Sequence, residues 1–363
     1  MFNVYTSDLP VTQTKTCLFA DDKALAIQTQ SFEAAEMSLE QDLGLLDQYY
    51  TDWRLKPNPA KTEVAIFHLN NKEADRQLNV CFKGVRLNHN PNPKYLGVTL
   101  DRSLTYRQHI EKLRLKLNSR NNILQMLVGS SWGASADTLR ISSISLVYST
   151  AEHCSALWRH SIHAKKIDTT LNQTMRIISC TSKSTPIVWL PTLCNIAPPD
   201  LRRRRAAVSL MERCMQHGPS ILFDVLTLTP VHRLKSRAFL WNEIPDLTNF
   251  NITDKWRERW SNTSVCNYDV IDDPTKEPGG FQLPRIAWKR LNRIRTGHGC
   301  CGSCLYKWGL RDSPKCDCGE SDQTMWHIVY SCPLRRFNGS MKELSDAESS
   351  RAVDYLCCLD LNL

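Results

Sequence analysis

The spacing of hydrophobic residues changes along the chain, and each change predicts a different element. From Thr16 to Ile27 two short apolar runs, Cys17-Leu18-Phe19-Ala20 and Ala24-Leu25-Ala26-Ile27, flank Asp21-Asp22. The runs read as the arms of a hairpin with the aspartates at or beside its turn. From Ser31 the period lengthens to steps of three and four: Phe32, Ala35, Leu39, Leu43, Leu46, Tyr50 and Trp53. This predicts an amphipathic helix with Ser31 as its N-cap and Glu33 and Glu36 favoured near its positive end. Pro57 and Pro59 stop it. Short strands are expected at Val64–Phe67, at Leu78–Phe82 with Val85–Leu87 around a Lys83-Gly84 turn, and at Tyr95–Leu100, where Gly97 marks a bulge or close backbone approach.

From about Tyr106 the pattern is helical. Ile110, Leu113, Leu117, Ile123, Leu124 and Leu127 predict one long helix; further helices are expected near 135–160 and 165–180. Ser184–Pro199, with four prolines, reads as a linker, and Arg202 to Arg205 open a helix to about Gln216. Residues 228–282 read as irregular, with Asp272-Asp273 a solvated loop. A basic helix begins near Leu283. The fold class is α+β, with strands and one helix first and mostly helices afterwards. The expected divisions are 1–104, 105–183, 184–282, 283–340 and a tail, 341–363.

The chain has 363 residues, 42% of them hydrophobic, and a formal net charge of +9. That supports two or three domains and is compatible with a polyanionic partner, or with no more than a basic surface. No apolar run is long enough to span a bilayer, and the first residues lack a signal-peptide pattern, so no membrane association is expected. The expected location is intracellular, nucleus or cytoplasm, and not secreted. Fifteen cysteines, an odd number, do not form an evident disulfide framework. In a reducing compartment clustered cysteines bind metal more often.

Two constellations carry chemistry. An adjacent pair of aspartates on a tight turn can present two hard oxygen ligands to Mg²⁺, although Asp-Asp alone is more often only a polar turn. Near the C-terminus, Cys316, Cys318, His327 and Cys332 make the pattern C-x-C-x8-H-x4-C. Three thiolates and an imidazole suit a closed tetrahedral Zn²⁺ site. A second set, Cys301, Cys304, Cys316 and Cys318, is conceivable but leaves out the histidine. Lys289, Arg290, Arg293 and Arg295 on the basic helix read either as a phosphate grip or as a solvated face.

In order, these segments resemble the polymerase reading frame of Jockey-like non-LTR retrotransposons. Phe19-Ala20-Asp21-Asp22 resembles the palm motif of their reverse transcriptases, which bears two of three catalytic aspartates. Trp53-Arg54-Leu55, with Asn58 and Lys61-Thr62, resembles the next palm motif, and Lys94-Tyr95-Leu96-Gly97-Val98 with Asp101 the primer grip. Arg295-Thr296-Gly297-His298-Gly299 and the Cys/His pattern resemble the C-terminal segment.

The resemblance implies a partial palm over 1–104, a helical thumb-like region over 105–183, and a zinc-knuckle-like module within 283–340. It implies RNA-directed DNA polymerase chemistry with Mg²⁺ at Asp21 and Asp22, and Lys61 near the leaving pyrophosphate. Tyr95 and Gly97 would touch nucleic acid, and the partners would be an RNA template and a DNA primer or target. The third aspartate and the fingers have no counterpart before Asp21. The chain is therefore expected to be a 5′-truncated element, inactive alone unless a partner supplies the missing parts. The alternative is a non-catalytic RNA/DNA-binding protein using the basic helices and the zinc module.

Overall fold

The computed structural model describes residues 6–20, 22–129, 132–216 and 250–361. The chain forms two compact units, Met1–His109 and Ile110–Leu363. It mixes helices with small two-stranded sheets.

In the first unit β1 (Lys15–Phe19) and β2 (Asp22–Ala26) pair antiparallel with Phe19 opposite Asp22. Two residues connect them, and Ala20 takes a positive φ of 49°, as two-residue hairpin loops require. α1 (Phe32–Asp52) starts where Ser31 Oγ accepts from the amide of Ala34 at 3.1 Å. Its apolar stripe, including Phe32, Leu39, Leu43 and Tyr50, packs on a core of Val64, Leu78, Val80, Phe82 and Leu87. Short strands supply that core: β3 (Glu63–Val64), β4 (Cys81–Phe82), β5 (Val85–Arg86) and β6 (Asn88–His89). β3 runs parallel to β6, and β4 pairs with β5 across Lys83-Gly84.

The strand expected over Tyr95–Leu100 is instead a tight hairpin. β7 (Lys94–Tyr95) folds back on β8 (Val98–Thr99). Leu96 and Gly97 form its turn, with φ of 45° and 86°. Two consecutive positive φ values give the turn whose twist matches a hairpin. Gly97 meets that demand without a Cβ penalty, so the glycine marks a reversal rather than a bulge.

In the second unit α2 (Arg107–Met126) buries Ile110, Leu113, Leu117 and Leu124. The single helix expected near 135–160 is broken. α3 (Ala136–Ser143) runs through a π-turn, Ile144–Tyr148, and is followed by α4 (Ser155–Trp158). Cys154 before α4 has φ +49°, a left-handed conformation that a right-handed helix cannot continue through. α5 (Lys165–Ser179) follows.

The expected linker at 184–199 contains α6 (Trp189–Cys194), in which Trp189, Leu190, Leu193 and Cys194 are wholly buried. The prolines there shape a packed segment because apolar residues between them have a core to enter. α7 (Pro199–Gln216) carries the arginine tetrad. Residues 217–249, most of them in the stretch read as irregular, all fall outside the described residues. Beyond it α8 (Ile252–Ser261) is a regular helix capped by Asn251, and its Trp260 packs edge-to-face on Trp189. Asp272 and Asp273 are not merely solvated: they pair with Lys342 and Arg257.

α9 (Arg285–Thr296), α10 (Gly302–Lys307), α11 (Met341–Asp346) and α12 (Ser350–Cys358) complete the unit. Among the described residues no helix is long and apolar enough to cross a membrane.

Candidate functional site

The hairpin is tied down by carboxylates that its own sequence does not reveal. Asp42 on α1 is fully buried and accepts from the amides of Gln13 at 3.1 Å and Thr14 at 2.7 Å, just before β1. Burial alone would raise this carboxyl's pKa, but the donors from Thr14 and Gln13 outweigh it and hold the group below its ordinary value. Asp8 accepts from Tyr49 Oη at 3.1 Å and Trp53 Nε1 at 3.2 Å.

Asp22 begins β2 and is exposed. Asp21 lies outside the described residues. Tyr95 stands in the field of Asp22: burial, then the charges at Cys17 and Asp22, raise its phenol above the ordinary range. Gly97 forms the turn beyond it. Lys61 ends the one-turn helix Pro59–Lys61 and is exposed.

Lys23, next to the aspartates, has its Nζ buried without a hydrogen-bond partner, 5.4 Å from the centre of the Tyr50 ring. Burial pushes its ammonium down to about 8 from 10.5. The folded state therefore holds this proton less tightly than the unfolded chain. The penalty is full below about pH 8 and is relieved as pH rises towards 10.5. Stability of wild type relative to Lys23→Met should rise across that window, read as the difference in urea midpoints. A constant difference would mean that Lys23 is solvated.

The second site is built from a turn and a helical turn. Gly319, at φ +97°, lets the chain reverse after Cys316-Asp317-Cys318, and the amide of Gly319 donates to Cys316 O at 3.0 Å. His327 opens the π-turn His327–Ser331, and the amide of Cys332 donates to His327 O at 2.8 Å. The donor atoms of Cys316, Cys318, His327 and Cys332 all lie within 4.8 Å of one another.

Cys316 Sγ is 3.9 Å from Cys332 Sγ, and Cys318 Sγ is 3.2 Å from His327 Nε2. A tetrahedral ion at Zn–S and Zn–N bond lengths needs donor separations of roughly 3.5–3.8 Å. The three buried residues and half-buried Cys318 thus enclose a space that fits one such ion.

Surrounding residues orient these donors. Ser331 Oγ lies 3.3 Å from His327 Nδ1, which leaves Nε2 facing the thiols. Gln323 Nε2 donates to Cys316 Sγ at 3.4 Å, and its Oε1 accepts from the amide of Gly302 at 2.8 Å. Burial would raise the Cys316 thiol, but donors from the Cys318 amide, Gln323, Cys318 and His327 bring it down to about 6. Arg335 braces the turn between Asp317 and Asp360. Sequence reasoning missed Gln323, Arg335 and Ser331; only Ser331, one helical turn from His327, left a trace in the spacing. Cys301 and Cys304 do not join the cluster, and burial pushes the Cys301 thiol up to about 12.

The basic helix needs correction as a nucleic-acid grip. The last carbonyls of a helix have no partner within it. On α9, Arg285 donates to the carbonyls of Ile177 and Ile178 in α5. Trp288 Nε1 adds a bond to Ile178 O at 3.0 Å, Asn292 Nδ2 one to Ser179 O at 2.9 Å, and Arg293 Nε one to Cys180 O at 3.3 Å. Arg290 does the same for α12, reaching Leu356 O at 2.8 Å and Cys357 O at 2.9 Å.

Arg295 is fully buried on Gly279 O, Asn292 Oδ1 and both oxygens of Ser345. Lys289 is buried too, and burial lowers its ammonium. Arg285, Arg290, Arg293 and Arg295 answer the negative ends of helices and buried carbonyls. Lys289, Arg290 and Arg295 have no exposed face to offer a phosphate, and Arg293 is half-buried.

Comparison with known proteins bears on ancestry. The chain's homologues are Pol and RNA-directed DNA polymerase proteins of R1, jockey and BS non-LTR retrotransposable elements, at low identity but across most of the chain. It is 21% identical over 332 residues to the Retrovirus-related Pol polyprotein from type-1 retrotransposable element R1 3 of Nasonia vitripennis, covering 87% of this chain and 84% of that one. It is 26% identical over 258 residues to the Probable RNA-directed DNA polymerase from transposon BS of Drosophila melanogaster, covering 66% of this chain and 28% of that one. Over 123 residues it is 28% identical to the RNA-directed DNA polymerase from mobile element jockey of Drosophila melanogaster, 31% of this chain and 13% of that one. The chain thus spans less than a third of the BS and jockey proteins. No family model matches it, and no solved structure does.

Proposed function

We propose that the chain contributes one side of a polymerase palm, a thumb-like helical region and a zinc-stabilised C-terminal module to RNA-templated DNA synthesis in a non-LTR retrotransposon. One observation carries this reading: similarity to a Pol polyprotein runs over 87% of the chain, far more than the short hairpin motif alone. The antiparallel pairing of β1 and β2 supports a palm role for the hairpin, since it holds Asp22 at the start of a rigid strand.

Asp21 and Asp22 are the carboxylates proposed to hold Mg²⁺, which when bound supplies charge stabilisation for an in-line phosphoryl displacement. Tyr95, beside Asp22, would border the primer end, with the backbone turning at Gly97. Lys61 would stand near the departing pyrophosphate. Cys316, Cys318, His327 and Cys332 would hold Zn²⁺ as a purely structural ion, because a full set of four protein ligands leaves no open position. The nucleic-acid partners would be an RNA template and a DNA primer or target.

Primer extension tests the palm assignment. In a polymerase-length chain that carries these residues, Asp21→Asn or Asp22→Asn should each abolish Mg²⁺-dependent extension while leaving primer–template binding intact. Retained extension in either variant would overturn the assignment.

A further inference from the structure

The turn that opens α10 carries a pair of thiols that neither the aspartate hairpin nor the Cys/His cluster uses. Cys301-Gly302-Ser303-Cys304 sets two cysteines three residues apart. Cys301 immediately precedes α10, and its carbonyl accepts from the amide of Leu305 at 2.9 Å, so these residues already follow one helical turn. Three steps along such a turn separate Cα atoms by about 5 Å. A disulfide spans Cα atoms about 4.4–6.8 Å apart. The side chains also meet, since the Cys301 thiol lies beside both the amide and the thiol of Cys304.

The segment between them is clamped. The amide of Gly302 donates to Gln323 Oε1 at 2.8 Å, and the amide of Ser303 to Gln323 O at 3.1 Å. Gly302 is so closely covered that a Cβ there would stand 2.8 Å from Arg311 Nη1 and 2.9 Å from Pro314 O. Cys301 is 1% exposed, whereas Cys304 is half-buried. One thiol can thus be reached from solvent and the other cannot. The neighbouring Cys300 is engaged elsewhere, its Sγ accepting from Arg293 Nη1 at 3.3 Å. Among the described residues no third metal-ligating side chain gathers with Cys301 and Cys304, so two thiols without an ion are what the turn offers.

We propose that Cys301 and Cys304 are a redox-active dithiol, which closes to an intramolecular disulfide by exchange with a small disulfide of the glutathione type. Cys304, the reachable thiol, loses its proton and attacks one sulfur of that disulfide. A mixed disulfide forms on Cys304, and the first half of the small molecule leaves and takes up a proton. Cys301 then loses its proton and attacks Cys304 Sγ, and the second half leaves as a thiol. Two protein thiols are oxidised, and one small disulfide is reduced to two thiols. Burial pushes the Cys301 thiol up to about 12, which keeps it from starting the exchange. Part of that rise comes from the Cys304 thiol alongside, and it is lifted once Cys304 is in the mixed disulfide. A thiol held beside the bond it attacks then has the advantage of an intramolecular nucleophile. The inference stands apart from the polymerase reading and from the zinc assignment.

The test equilibrates the full chain in glutathione buffers from reducing to oxidising, quenches with acid, alkylates the remaining thiols and digests with trypsin. Cleavage after Arg295 and Lys307 leaves Cys300, Cys301 and Cys304 in one peptide, which mass spectrometry reads. Wild type should yield this peptide with Cys300 alkylated and Cys301 joined to Cys304. Cys301→Ser should stop at a glutathione adduct on Cys304. Cys304→Ser should take up glutathione on Cys301 at least about tenfold more slowly, because that thiol is buried and protonated. Cys300→Ser should close as wild type does.

A wild-type peptide that stays fully alkylated in the most oxidising buffer would overturn the inference, as would a disulfide that uses Cys300. Equal rates of adduct formation in Cys301→Ser and Cys304→Ser would overturn the assignment of Cys304 as the attacking thiol. Mapping of wild type needs no substitution, so it decides the pairing even where a serine variant fails to fold.

Discussion

Stripping the metal from the Cys/His cluster, or replacing Cys332 by alanine, is expected to unfold the segment around residues 315–337. Its regular structure is short, although Arg335 ties it to Asp360 and Gln323 to Gly302. The turn at Cys316–Gly319 and the π-turn His327–Ser331 are each a few residues long, too short to be stable alone. Cys332 and Ile328 are fully buried, so loss of the ion would expose apolar surface as well as thiols. A structural Zn²⁺ in such a module contributes about 10 kcal/mol or more of apparent binding energy at neutral pH, and that energy is available only to the folded form.

Hydrogen-bond donors around Cys316 hold its thiol below the ordinary range, which favours the thiolate form a metal ligand needs. Elemental analysis should find one Zn²⁺ per chain in wild type and Cys304→Ala, and almost none in Cys332→Ala. Limited proteolysis should cut the Cys332→Ala chain near residues 315–337 first. Full zinc retention by Cys332→Ala would remove the assignment. Loss in Cys304→Ala would instead point to the set that includes Cys301 and Cys304.

The second large effect is expected at Arg295. Replacing it by leucine should cost about 2–6 kcal/mol, because two buried carbonyls lose their donor. Gly279 O and Ser345 O would be left buried without a donor, each at about 1–3 kcal/mol. Part of that loss is offset because burial disfavours the guanidinium's charge, with Asp346 opposing that effect. For a unit of this size the midpoint of thermal unfolding should fall by roughly 10 °C. Arg295→Lys should recover little, since one ammonium cannot reach oxygens spread around a planar fork. The discriminating measurement is RNA affinity at a temperature where the variant is folded. It should be unchanged if Arg295 is structural, and a selective loss of affinity without a lower midpoint would restore the phosphate-grip reading.

α9 shows why some of this was legible in advance and some was not. Its existence, its start near Leu283 and its line of basic residues can all be read from the sequence. Their partners cannot. Arg285 and Asn292 bond to carbonyls more than a hundred residues away, and Arg290 to carbonyls more than sixty away. A stripe of cations facing the carbonyl end of another helix has the same one-dimensional pattern as a stripe facing water.

Local features behaved differently. The β1–β2 hairpin, α1 with its Ser31 cap and the C-x-C-x8-H-x4-C spacing are each set by neighbours within a few turns. Backbone geometry and side-chain period act at that range, so the sequence by itself determined them. Resemblance to retrotransposon polymerases was likewise carried by short ordered motifs. The turn at Leu96-Gly97 sits between these cases, because the glycine is visible but the reversal depends on Val98 and Thr99 being buried after it.

Only the tertiary structure decided which charges are available. It buried Asp42 to hold the segment before β1, drew Arg285, Arg290 and Arg293 onto helix ends, and paired Arg203 with Asp168 and Arg259 with Asp200. Whether a charged side chain meets a carbonyl, a carboxylate or solvent depends on what the rest of the chain brings beside it. Desolvation makes that choice energetically large and leaves no trace in the spacing of residues along the sequence.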